Sequence, residues 1–148
     1  KRCFGEWYRD AWSDLVADMN LQRTSAQPYR PSMLTQNMED IPVLILACLD
    51  RPTPGYGPNP ITTGSSIYPA VQNIMLAARA LGLGTVLTTL HTKHEREVKA
   101  LLGIPESVST AALIPLGYPA QGESFGGGRR RPSADVTFHE RWGQTVAS

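Results

Sequence analysis

Apolar residues, several of them aromatic, recur at helical spacing near the start of the chain. They are Phe4, Tyr8, Ala11, Trp12, Leu15, Val16 and Met19. Charged side chains fall mostly between these positions, which predicts an amphipathic helix. We expect its aromatic-rich stripe to pack in the protein core rather than to form the wall of a ligand site.

A short continuous apolar run follows a polar segment. Residues 21–40 contain Pro28 and Pro31 and predict a loop that holds at most a short helix. Residues 43–49 are apolar throughout and predict a strand that is buried on both faces. Residues 50–60 are rich in proline and glycine and predict an irregular loop of the kind that often covers a binding site.

The middle of the chain predicts a helix followed by a strand. Ser65 or Ser66 can cap this helix, and Pro69 suits its first turn. Gly82 and Gly84 predict its end. Residues 85–90, TVLTTL, are β-branched enough for a strand. One face of the helix is apolar and carries Val71, Ile74, Met75, Ala78 and Leu81.

A further helix and strand complete the pattern. Thr92 and Glu95 have the spacing of a capping box, which predicts a helix over residues 93–102 that Gly103 and Pro105 end. Residues 110–116 predict another buried strand. Because helices and strands alternate, we expect an α/β or α+β fold layered on one sheet.

Composition excludes several classes of protein. The length of 148 residues suits a single domain, and 41% apolar residues is too many for a disordered chain. The net charge of +1 argues against a nucleic-acid partner, and the longest apolar run is too short to span a membrane. Cys3 and Cys48 lie far apart, Cys48 in an apolar run that predicts burial, and we expect a reducing cytoplasm.

Candidate chemistry is sparse. The chain has no P-loop, no nucleophile elbow and no glycine-rich turn between a strand and a helix. His91, His94 and Glu95 could suggest a metal, but without an evident further ligand we favour surface or loop histidines. The GGGRRRP segment, residues 126–132, is either a solvated basic loop or a phosphate site, since a guanidinium matches phosphate oxygens in pairs.

Several motifs in order resemble the FMN-dependent nitroreductase family, which also includes flavin reductases and iodotyrosine deiodinase-like enzymes. These motifs are SIYPAVQNIMLAARALGLGTVLTT, EVKALLGIP, ALIPLGYP and RRRP, with GEWYRDAW before them. The resemblance implies an α+β fold with three layers, α/β/α. It also implies a cytoplasmic homodimer that uses FMN and NAD(P)H, without nucleic acid or membrane partners.

The implied reaction is a ping-pong hydride transfer. In the family, NAD(P)H reduces flavin N5 and leaves before a nitroaromatic, quinone or related acceptor binds. The resemblance places Leu87, Thr88, Thr89 and Leu90 against the flavin ring, mainly through their backbone, with an N–H near Thr89 facing N5. No catalytic side chain is implied, because the flavin carries the chemistry.

The phosphate and the acceptor have candidate residues of their own. The arginine two positions before the late proline binds the FMN phosphate in the family, which implies Arg130, with Arg129 and Arg131 as alternates. Tyr56 could shape the acceptor pocket.

The chain departs from the family pattern at its start. Family members carry an upstream arginine-rich segment that this sequence lacks, so we expect residues 1–148 to be a single nitroreductase-like domain that is incomplete at its N-terminus. Two functions compete. One is an FMN-dependent NAD(P)H oxidoreductase, and the other is a non-catalytic or truncated member that binds no flavin and acts as an interaction subunit.

Overall fold

A computed structural model describes residues 1–22, 33–50, 64–122, 125 and 130–144. The helices are α1 (Arg2–Gln22), α2 (Met33–Asn37), α3 (Ile67–Ala80) and α4 (Glu95–Leu102). The strands are β1 (Val43–Asp50), β2 (Gly84–Thr85) and β3 (Val108–Gly117). Short 3₁₀ helices cover Met38–Asp40, Leu90–His94 and Ser133–Asp135. The short helix that the sequence allows between residues 21 and 40 is α2, while most of the loop predicted there and almost all of the predicted 50–60 loop fall outside the described residues.

The described strands form an antiparallel sheet in the order β1-β3-β2. Strand β3 is central, and Val43 of β1 pairs with its Leu116. A bulge between Ala47 and Cys48 shifts the register of β1 before its end. Because β1 lies at an edge, it is only half-buried, and Val43 is 45% exposed. The prediction that this strand is buried on both faces is therefore wrong, and Cys48 is half-buried.

The two faces of the sheet are covered by different helices. Leu113 of β3 points to a cluster that contains Phe4, Tyr8, Met38 and Val98, from α1, the first 3₁₀ helix and α4. Its neighbours Ala112 and Ile114 point to the other face, where they pack with Ala47 of β1 and Val71 of α3. The alternation of side chains along β3 thus builds helix layers on both sides of one sheet. The predicted α+β fold is confirmed.

Helix α3 ends as the sequence predicts, although only one of the two glycines ends it. Gly82 has φ +76°. The Leu83 N–H donates to the Ala78 carbonyl at 2.9 Å, and the Gly82 N–H to the Arg79 carbonyl at 3.0 Å. This pair of bonds defines a Schellman motif. Gly84 belongs to β2, and Ser66 makes no side-chain cap at the start of the helix.

The strand predicted over residues 85–90 is much shorter. After β2 the chain meets β3 again only at an isolated bridge between Thr88 and Leu113. The Gly84–Gly117 and Thr88–Leu113 pairings place Val86 opposite Pro115. Proline has no N–H to donate, so the ladder is interrupted there.

The predicted capping box is also wrong. Thr92 lies inside the 3₁₀ helix Leu90–His94, and its hydroxyl donates to the Thr89 carbonyl at 2.8 Å. Helix α4 begins at Glu95, whose carboxylate accepts hydrogen bonds from Thr110 of β3 instead. The start of the helix is therefore fixed by a tertiary contact rather than by the local box.

Candidate functional site

The candidate site is the turn of residues 87–90, between β2 and the following 3₁₀ helix. At its centre, the backbone of Thr88 is fully used by β3. The Thr88 N–H donates to the Leu113 carbonyl at 3.0 Å, and the Leu113 N–H donates to the Thr88 carbonyl at 2.9 Å. Thr88 therefore fixes the turn to the central strand and offers no backbone donor to a ligand.

The side chain of Thr88 points inward. Thr88 is 8% exposed, and its hydroxyl donates to the hydroxyl of Tyr8 on α1 at 3.2 Å. The same oxygen accepts a long hydrogen bond of 3.4 Å from the Leu90 N–H. The threonine chosen from the sequence for a place beside the flavin ring thus has its side chain in the core.

Thr89 differs from Thr88 because it faces outward. Thr89 is exposed, and its carbonyl accepts hydrogen bonds from the backbone N–H and the hydroxyl of Thr92 at 3.0 and 2.8 Å. Within the described part of the chain, no hydrogen bond of the Thr89 N–H is seen. Leu87 is also partly open, with 37% of its surface exposed. The turn therefore offers a backbone N–H beside an exposed apolar side chain.

Helix α1 holds the segment that follows the turn. Lys93 pairs with Asp14 at 3.1 Å, and His94 contacts Asp10 at 2.9 Å. The His94 ring also stacks on Trp7, with 6.1 Å between ring centroids. Ion pairs at this exposure contribute about 0–1 kcal/mol each, so they orient the segment more than they stabilise it.

The arginine run is not brought to this turn by any described contact. Arg130 and Arg131 are exposed and precede the 3₁₀ helix Ser133–Asp135. In the described ranges, neither guanidinium forms a hydrogen bond or an ion pair. Arg129 and Tyr56 lie outside the described residues. The predicted phosphate site therefore stays a prediction.

The sequence favours surface or loop histidines, and the expectation of a surface position is wrong for His91, which lies in the 3₁₀ helix Leu90–His94. This residue is 2% exposed, and among the residues that the structure describes neither ring nitrogen has a hydrogen-bond partner. Burial lowers the pKa of His91, while the nearby Glu95 carboxylate acts in the opposite direction. Among the described residues, no group of three or more histidine, cysteine or acidic side chains could hold a metal ion.

Sequence reasoning missed a polar brace between α4 and β3. One carboxylate oxygen of Glu95 accepts from the Thr110 N–H at 2.8 Å and from its hydroxyl at 3.0 Å. The Lys99 ammonium lies 3.7 Å from the same oxygen. Partial burial acts to raise the pKa of Glu95, but the hydrogen bonds from Thr110 and the charge of Lys99 outweigh it, so this pKa lies below its usual value. The capping-box spacing drew attention to Glu95 but indicated the wrong partner.

A separate cleft of about 400 Å³ runs along the outer side of α3. Met75, Arg79 and Thr85 contribute to its lining, and the Arg79 guanidinium lies 3.7 Å from the centre of the Phe125 ring. None of the predicted site residues that the structure describes lines this cleft. No helix in the described ranges has the length and hydropathy needed to cross a membrane.

Comparison with known proteins covers most of the chain. A family model described as "Nitroreductase family" matches residues 2–118. A protein of Archaeoglobus fulgidus named "Putative NADH dehydrogenase/NAD(P)H nitroreductase" is 37% identical over 75 residues, which cover 49% of this chain and 43% of that protein. A protein of the same name from Methanothermobacter thermautotrophicus is 38% identical over 89 residues, which cover 57% and 44%. The chain thus spans less than half the length of these relatives.

Solved structures with a similar fold also include a protein described as a nitroreductase. A protein from Desulfovibrio desulfuricans, described as "a putative nitroreductase in complex with fmn", is 29% identical with a TM-score of 0.59, over 75% of this chain and 62% of that one. NfrA2 of B. megaterium is 23% identical with a TM-score of 0.62, over 74% of this chain and 50% of that one. The second likeness supports the fold alone.

Proposed function

The chain belongs to the nitroreductase family, and we propose that it is an FMN-dependent oxidoreductase that uses NAD(P)H to reduce a nitroaromatic, a quinone or a related acceptor in a ping-pong reaction. The observation that carries this proposal is the Thr89 N–H, an available donor next to a residue whose backbone is fully bonded to β3. The names of the two archaeal relatives and the FMN of the Desulfovibrio structure support it.

The residues of the 87–90 turn fit one edge of a flavin ring. FMN supplies hydride transfer through its N5 atom when it is bound. A fixed N–H donor stabilises negative charge that develops on a bound ring, since the donor does not have to reorient. We assign this donor role to Thr89. Thr88 anchors the turn to β3, Leu90 packs against the core, and Leu87 presents an apolar side chain that is 37% exposed.

The phosphate of FMN requires positive charge elsewhere in the chain. Arg130 is exposed and has no ion pair within the described residues, so its guanidinium is available to a phosphate. We propose Arg130 as the principal phosphate ligand, with Arg131 or Arg129 beside it. This assignment rests on the family pattern, and the described contacts neither join these arginines to the turn nor pair them with another group.

We further propose that the functional protein is a homodimer and that residues 1–148 belong to one domain. Helix α3 supports a partner chain, since its Ile74 and Leu76 are 38% and 56% exposed and Leu81, the residue after its end, is 74% exposed. A helix with this much open apolar surface is typical of a face that another chain covers.

The first experiment is a visible absorption spectrum of the purified chain after incubation with excess FMN and desalting. We expect a retained flavin band that NADH or NADPH bleaches and that an added quinone restores. Arg130→Gln combined with Arg131→Gln should weaken FMN binding by about tenfold, because a charge-assisted hydrogen bond is lost. Arg141→Gln is the control, since this arginine is also exposed but lies outside the RRRP motif.

A different result would favour the competing function. If the folded chain retains no flavin band, it does not bind FMN by itself, and the non-catalytic interaction subunit becomes the better account. Circular dichroism of the same sample distinguishes this outcome from a chain that is unfolded.

A further inference from the structure

Both peptide planes that flank Thr89 are fixed by neighbouring groups. The first plane contains the Thr88 carbonyl and the Thr89 N–H, which point in opposite directions because the peptide is planar and trans. The carbonyl accepts from the Leu113 N–H at 2.9 Å. The Thr89 N–H is therefore directed away from β3, toward the outside of the turn.

The second plane contains the Thr89 carbonyl and the Leu90 N–H. The carbonyl accepts from Thr92, and the N–H donates to the Thr88 hydroxyl at 3.4 Å. That hydroxyl can accept from Leu90 in a defined direction because its own proton is donated to Tyr8 at 3.2 Å. Tyr8 itself is 5% exposed and belongs to the rigid apolar cluster of α1.

We infer that Tyr8 is a positioning residue for the Thr89 N–H, acting through the hydroxyl of Thr88. Tyr8 lies on α1, 80 residues before Thr88 in the chain, and from there it orders the Thr89 N–H. This inference rests on the proposed function for its consequence, which is tighter binding of reduced than of oxidised FMN. The contact itself is independent of the cofactor.

The buried position of this contact separates it from the ion pairs nearby. Lys93–Asp14 and His94–Asp10 lie at the surface, where water competes for the same groups. The Tyr8 and Thr88 hydroxyls are both buried, so a lost partner is not replaced by bulk water. Removing the Tyr8 hydroxyl should therefore change the order of the turn more than removing either exposed pair.

The first test measures amide hydrogen exchange at Leu90 in the full chain without FMN. Tyr8→Phe and Thr88→Val each keep the shape of the side chain but remove a hydroxyl, and both should speed this exchange by about five- to tenfold. Thr88→Ser keeps the hydroxyl and should remain within twofold of wild type. The matched control is Tyr68→Phe on α3. This variant also loses a tyrosine hydroxyl, but one that donates to the Ala111 carbonyl, away from the turn.

The second test uses the FMN-loaded protein and compares dissociation constants for oxidised and reduced FMN. Tyr8→Phe should weaken reduced FMN about three- to tenfold more than oxidised FMN, since the donor acts mainly on the charged ring. A residue that only stabilised the fold would weaken both forms equally. Equal weakening would therefore overturn the positioning role.

The two tests separate the possible failures. If wild-type protein binds no FMN, the proposed function fails, and with it the consequence for reduced flavin. Exchange at Leu90 within twofold of wild type in Tyr8→Phe would overturn the inference whether or not FMN binds. Faster exchange together with a selective loss of reduced FMN would support both.

Discussion

The two faces of the sheet differ in how completely their helices are buried. On one face, α1 places Phe4, Tyr8 and Ala11 in the core with at most 8% exposure, and its polar side reaches the segment after the turn. On the other face, α3 buries Val71 and Ala78, while Leu76 and Leu81 are more than half exposed. Within the described residues, the α1 face is therefore the more complete layer of the core.

This difference separates two uses of apolar residues. On the α1 face, apolar side chains pack within the chain, and the same packing orders the 87–90 turn. On the α3 face, some apolar side chains are exposed to solvent, and these residues contribute little to the stability of the single chain. We expect substitutions on the two faces to have unequal effects in a monomer.

The largest effect is expected at the centre of the α1 face. Leu113→Ala should lower the free energy of unfolding by about 3 kcal/mol, because Leu113 is 1% exposed and its loss leaves a cavity. Leu76→Ala on α3 should change it by less than about 0.5 kcal/mol, since Leu76 is 56% exposed. Urea unfolding of both variants gives the comparison. Similar losses would show that the α3 face is packed in solution.

The Glu95 brace should have the next largest effect. Glu95→Ala removes the acceptor of both Thr110 donors, and we expect a loss of about 2 kcal/mol in unfolding free energy. Glu106→Ala is the matched control. Its carboxylate also lies near Lys99, at 3.9 Å, but is 87% exposed, so the loss should stay below about 1 kcal/mol. Equal losses would mean that Lys99, rather than Thr110, is the important partner.

Backbone conformation should act equally on both faces. Gly82 ends α3 and Gly103 ends α4, with φ values of +76° and +67° and open space around both. Alanine at either position should cost about 1 kcal/mol, because a side chain disfavours the left-handed conformation. Thermal unfolding of the two variants checks this. A clear difference would show that the asymmetry is not confined to side-chain packing.

The smallest effect is the dependence of stability on pH. Burial lowers the pKa of His91 below its usual value of 6.5, so the unfolded chain takes up this proton at a higher pH than the folded chain. Stability is then full above about pH 6.5 and falls as the pH decreases, with a loss of at most about 1 kcal/mol between pH 6.5 and 5.5. His91→Leu should flatten this slope between pH 6.5 and 5.5, measured by urea unfolding. The exposed His139→Gln should follow the wild-type profile, and a slope unchanged in His91→Leu would contradict the prediction.

The sequence predicted those elements whose cause is local. Periodicity located α1 and α3, and Gly82 marked the end of α3 through its own backbone conformation. The apolar run before Leu116 located β3. Each of these signals acts within a few residues of the element that it specifies, so a single sequence contains it.

The errors have tertiary causes. β2 ends early because Pro115 stands opposite Val86, the residue that would continue it. The box at Thr92 fails because Thr110 donates to the Glu95 carboxylate. His91 is buried by packing that no local pattern records. Within the candidate site, the resemblance named the 87–90 turn and an N–H near Thr89, and the structure adds that Thr88 is anchored to β3 while the Thr89 N–H is available.

The contact between Tyr8 and Thr88 also has a consequence for synthesis of the chain. Tyr8 leaves the ribosome 80 residues before its partner is made. At translation rates of about 5–20 residues per second, the apolar stripe of α1 waits roughly 4–16 s for the turn that it will order. During that interval Met38 of the same cluster is already made, but Val98 and Leu113 are not, so we expect the growing chain to be most prone to aggregation and chaperone binding before these two residues emerge.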